Sequence, residues 1–91
     1  MIVTYEIAEA DRAAFERAAG AHAAASDTYP GCLRFSVGHD INHPGRYQLI
    51  ELWHDEHLLN EHGRSEAFQR TMTALKQCRI LQMQPDRYKI P

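Results

Sequence analysis

Residues 32–39 read Cys-Leu-Arg-Phe-Ser-Val-Gly-His, and residues 46–54 read Arg-Tyr-Gln-Leu-Ile-Glu-Leu-Trp-His. The first segment alternates, with Leu33, Phe35 and Val37 on one face and Arg34 and Ser36 on the other, which is the period of a strand. The second is a strand of another kind. Tyr47, Leu49 and Trp53 share one face, while Ile50 and Leu52 occupy the opposite one. A strand apolar on both sides needs a cover on both. Between the two lies Asp40-Ile-Asn-His-Pro-Gly45, dense in turn formers, which closes them into a hairpin.

Upstream, residues 2–8 are β-branched and aromatic and form a strand. From Ala10 to about Thr28 the pattern becomes helical. Phe15, Ala18, Ala19, His22, Ala25 and Ser26 make one stripe, with Asp11 at the positive end of the helix dipole. Tyr29-Pro30-Gly31 ends that helix. Downstream, Asp55 caps a short helix that runs to His62 and stops at Gly63. Ser65 caps another, with Phe68, Met72 and Leu75 at helical spacing. A final strand spans Arg79 to about Tyr88, with Pro85 inside it.

Strand, helix, two strands, two helices and strand make a ferredoxin-like split βαβ fold of the α+β class. An antiparallel sheet with helices on one face leaves its other face bare. The pattern therefore predicts a homodimer, packed sheet to sheet. The 91 residues are read as a single domain, 1–91, whose small core favours association.

The chain is 44% apolar and 24% charged, with ten basic residues against twelve acidic ones. A net charge of −2 provides no basic surplus for phosphates, so nucleic acid is not expected as a partner. No apolar run approaches the ~20 residues of a membrane span. Cys32 and Cys78 form no CxxC pair, and two distant thiols point to a reducing, cytoplasmic setting.

Six histidines are present, and two stand out. His22 follows Phe15 by seven residues, so their side chains point within ~20° of each other around the helix. His62 follows Leu58 and Leu59 by four and three, on the apolar side of its own helix. Both face the sheet and can line one cavity, as catalytic base or acid. Alternatively, both are core histidines with backbone or water partners. Glu51 lies mid-strand in phase with Tyr47, Leu49 and Trp53, where a carboxylate must be paired, protonated or wetted. It can orient a histidine, accept a substrate hydroxyl, pair with Arg34, or simply fasten the sheet. Trp53 offers a flat wall to an aromatic ligand, or core packing. His54 and His57 are three apart and His57 and Glu61 four apart, a spacing helical ligands can use. However, His54 ends a strand, Glu61 should point to solvent and no further ligand follows at a standard distance, so no metal is expected.

Pro30-Gly31-Cys32-Leu33, then Glu51-Leu52-Trp53, then His62-Gly-Arg-Ser65-Glu-Ala-Phe68 resemble the antibiotic biosynthesis monooxygenase domain family. Its pattern is a Pro-Gly-x-Leu strand, a Glu-x-Trp strand and a His-x-x-Ser-x-x-Phe helical segment. The resemblance implies a dimeric α/β barrel with a pocket between sheet and helices in each subunit. It also implies, in the quinol-monooxygenase-like branch, oxidation of quinol-like or polyketide-like aromatics by dioxygen without flavin, haem or metal. His22, His62 and Glu51 are then catalytic, and Trp53, Phe68, Phe35 and Met72 bind substrate. The asparagine and distal histidine of the haem-degrading branch have no counterpart near Ile2–Thr4 and Met72, so haem is not expected. Two rival expectations remain: an isomerase or lyase of a small oxygenated metabolite of the sugar-phosphate type, and a non-catalytic ligand-binding dimer module.

Overall fold

A computed structural model describes residues 1–90. Four strands, β1 (Ile2–Ile7), β2 (Cys32–His39), β3 (Arg46–Trp53) and β4 (Ile80–Asp86), form one antiparallel sheet in the order β2-β3-β1-β4. Helices α1 (Arg12–Ser26), α2 (Glu56–Gly63) and α3 (Glu66–Leu75) complete the ferredoxin-like α+β arrangement. Along β1 the odd-numbered Val3, Tyr5 and Ile7 are buried, and along β3 so are Tyr47, Leu49 and Glu51. Phe15 of α1 lies between the rings of Tyr5 and Tyr47, at centroid distances of 5.1 and 4.9 Å, and so ties the first helix to the centre of the sheet. The opposite face exposes Ile50 and Leu52, at 36% and 38%.

Three local details depart from the sequence pattern. A 3-10 turn over Glu9–Asp11 precedes α1, and the Asp11 carboxylate accepts from the Arg79 amide (2.9 Å) rather than from its own helix. Within the stripe of α1, Ala23 is buried and Ala25 is exposed. In β2 the register against β3 shifts between Cys32 and Arg34. Such a bulge leaves the extra residue unpaired, and Leu33 turns outward, 60% exposed, instead of joining Phe35. Cys32 takes the place opposite Trp53.

The short connections are built as their composition requires. Asp55 Oδ1 accepts from the Leu58 amide at 2.9 Å, and Ser65 Oγ from the Phe68 amide at 3.2 Å; both are N-caps. Gly31 has φ +85°, a conformation that disfavours any Cβ, and one there would also run into Leu58. Its carbonyl accepts from the His54 amide at 2.8 Å, which holds the exit of α1 against the entry to α2.

Candidate functional site

α1 and α2 bring His22 and His62 together over the β2–β3 side of the sheet, with ring centroids 5.3 Å apart. They are 4% and 3% exposed. Phe35 of β2 lies edge-on to His22 at 5.2 Å and 5.8 Å from His62. Phe68 of α3 is 5.9 and 5.8 Å from the two rings. Trp53 lies 4.9 Å from His62 and Tyr29 5.2 Å from it, with the two rings 6.1 Å from each other. His62 is thus the hub of an aromatic cluster drawn from four elements and one loop.

Each imidazole has one hydroxyl partner. Thr71 Oγ1 donates to the Ala67 carbonyl (3.1 Å), which leaves its lone pairs for the Nδ1–H of His22 at 2.8 Å. Nε2 is therefore the basic nitrogen of His22. His62 Nε2 shares a 2.9 Å hydrogen bond with Ser26 Oγ on α1. Burial, and then the neighbouring His62, push the pKa of His22 down to about 4. Burial also lowers that of His62. Both rings are neutral at pH 7, and each holds an unprotonated nitrogen.

Glu51 is 6% exposed. Its Oε1 accepts from Trp53 Nε1 at 3.1 Å, two residues along the same face of β3. Burial raises its pKa, opposed by the Trp53 hydrogen bond, the Met1 amino group and Arg87. Arg34 is not its partner. Arg34 stands opposite Leu52 in the register, whereas Phe35 stands opposite Glu51, so the two side chains leave opposite faces of the sheet.

The space beside these groups is divided. One cavity of about 260 Å³ is bounded by Glu51, His62 and Phe68, with Leu59, Asn60, Arg64 and Arg87 also in its wall. A second, larger hollow of about 770 Å³ has Glu51 and Trp53 in its wall and extends to Leu33, Tyr88 and Ile90. His22, Phe35 and Met72 border neither; Phe35 is buried in the core and Met72 packs against it. The structure thus joins His62, Glu51 and Phe68 at one cavity, puts Trp53 at the edge of the next, and sets His22 behind His62. Among the described residues, no three His, Cys, Asp or Glu side chains gather as a metal site would require. His57 meets Glu61 alone, at 3.1 Å.

Sequence reasoning missed Thr71 and Tyr29 as companions of the histidines, and Arg64 and Arg87 at the cavity. Thr71 carried a detectable signal, since it falls three residues after Phe68 on the same helix. The arginines carried none, because each is an ordinary charged residue until the tertiary fold brings it to the wall.

Residues 1–74 match the model of a protein family described as antibiotic biosynthesis monooxygenase. Solved structures agree in fold. A Pseudomonas aeruginosa protein is 26% identical and superposes with a TM-score of 0.86 over 99% of this chain and 91% of its own. A structure named antibiotic biosynthesis monooxygenase is 21% identical, with a TM-score of 0.83 over 97% and 96% of the two chains. A Deinococcus radiodurans protein, given the same name provisionally, is 20% identical, with a TM-score of 0.78 over 100% and 97%. No functionally curated protein matches the chain.

Proposed function

The chain belongs to the antibiotic biosynthesis monooxygenase family, and from that membership we propose that it oxidises a quinol-like or polyketide-like aromatic with dioxygen, His62 serving as the base. The observation that carries this reading is the setting of His62. A neutral imidazole, almost wholly withdrawn from solvent, borders a partly open cavity beside an aromatic wall.

A hydroquinone bound against Phe68 gives a phenolic proton to His62. The resulting anion is far easier to oxidise and passes an electron to dioxygen; recombination of the two radicals forms a peroxide on the ring. Cleavage of its O–O bond leaves one oxygen on the ring. The other departs as water with two hydrogens from the substrate, so that quinol plus dioxygen yields hydroxyquinone plus water. The protein's part is deprotonation, orientation and exclusion of bulk water.

His22 is a positioning residue in this scheme, since it does not border the cavity and packs against the two rings that do, His62 and Phe68. With a pKa of about 4 it stays neutral and puts no competing cation beside His62 when that ring takes its proton. Among the described residues Glu51 is the single acid of the cavity wall, and it bears on the imidazolium formed there. The same reading pairs two copies of the chain through the bare sheet face that carries Ile50 and Leu52.

An oxygen electrode with a panel of hydroquinones tests it. His62→Gln is expected to lose 10²–10⁴-fold in kcat, the usual worth of a positioned base, while retaining a cooperative thermal transition. Turnover without oxygen uptake would assign the site to proton shuttling of the isomerase kind, and equal rates for His62→Gln and wild type would remove the base.

A further inference from the structure

The cavity beside His62 is electrostatically unlike the rest of the molecule. The chain as a whole is acidic by two charges, yet among the described residues this wall holds two arginines, Arg64 and Arg87, and the Met1 amino end, against the one acid Glu51. Burial draws Glu51 toward its neutral form, which leaves the arginines further in excess. A concave wall with an excess of one sign favours the opposite charge in its ligand.

The two arginines are not equally free. Arg87 Nη1 donates to Asn60 Oδ1 at 3.3 Å and lies 3.6 Å from the Glu56 carboxylate. Arg64 has no ion pair among the described residues. It follows His62 by two positions and is the C-cap of α2, its amide donating to the Glu61 carbonyl at 3.0 Å. The root of this guanidinium is therefore set by the same helix end that sets the imidazole. Phe68 and Leu59 supply apolar wall to the same space. At about 260 Å³ it lies just below the ~300–1,000 Å³ of drug-sized sites, which suits a small ring compound.

We infer that the ligand of this cavity is a small aromatic carboxylate, with the ring against Phe68 and the carboxylate on Arg64. Arg64 sets specificity, and Arg87, already tied to Asn60, adds charge. A guanidinium suits this task because its planar fork takes a carboxylate through two parallel hydrogen bonds. The assignment rests on the proposed oxidation for its choice of a phenolic ring, and on the wall's charge for the carboxylate.

Calorimetric titration of the full chain with hydroquinone and with 2,5-dihydroxybenzoate, two phenols that differ by the carboxylate, tests this directly. The acid is expected to bind at least tenfold tighter. Arg64→Gln should remove most of that preference and Arg64→Lys should retain part of it. Arg70→Gln, which removes an equal charge from an exposed site paired with Glu66, should keep it whole. Equal affinities, no binding of either compound, or a preference that survives Arg64→Gln overturns the inference. Because binding is read without turnover, the two ideas separate. An acid bound selectively but never oxidised upholds Arg64 and removes the monooxygenase reading. A neutral quinol oxidised with no preference for the acid does the reverse.

Discussion

A buried imidazole prefers to be neutral, and one touching a second imidazole prefers it more strongly. His22 obeys both rules, and the consequence for stability has a definite sign. Its folded pKa of about 4 lies below the ordinary 6.5, so between those values the unfolded chain binds a proton that the native chain refuses. Stability from this group is complete above pH 6.5 and is lost as pH falls toward 4, by about 3 kcal/mol in all. His62 adds in the same direction. Urea titrations between pH 4 and 7.5 should show this slope, and His22→Gln should flatten it. Glu51 acts with the opposite sign, because a raised carboxyl pKa means stability lost as pH climbs above the ordinary value. Glu51→Gln keeps an acceptor for Trp53 Nε1 and carries no charge. It is expected to raise the thermal midpoint at pH 7 while lowering activity, an exchange typical of functional sites. Equal midpoints for Glu51→Gln and wild type would mean that burial does not raise the carboxyl pKa on folding.

At the level of elements, the site depends on where α2 and α3 begin. The Ser65 hydroxyl caps α3, which carries both Phe68 and Thr71. Ser65→Ala should cost about 1 kcal/mol, or roughly 4–8 °C in melting temperature for a chain of this size. Gly31→Ala should cost more, since it combines a left-handed backbone with a collision against Leu58 of α2. Because His62 sits in the last turn of α2, this variant is also expected to lose oxidation rate beyond its loss of stability, as measured at a temperature where it remains folded. The caps were legible in the sequence, because a cap is a relation between residues three apart. The bulge at Leu33 was not. It is a property of the β2–β3 register, and an alternating pattern read along one strand alone gives no sign of it.

For the whole molecule, the bare sheet face governs behaviour. Ile50 and Leu52 stay partly exposed in a single copy, and their strand lies inside the sheet order rather than at its edge. Sedimentation of the chain is expected to give a dimer, and Leu52→Lys a monomer whose helix content by circular dichroism is retained. A monomeric wild type would leave the dimer without support. No helix among the described residues is long and apolar enough to cross a membrane.

Strand and helix order, the sheet-facing phase of His22 and His62, and the anomaly of Glu51 were all readable from spacing. Each follows from periods of two and 3.6 residues that act within one element. Which partners those residues met was decided only by the packing of elements distant in the chain. Arg34 lost Glu51 to the far side of the sheet; Trp53 claimed it instead. Ser26 and Thr71 supplied the histidines' hydrogen bonds from 36 and 49 positions away. The arginines at the cavity have no pattern of their own along the chain. Periodicity states which way a side chain points, and only the crossing of one element over another states what it finds there.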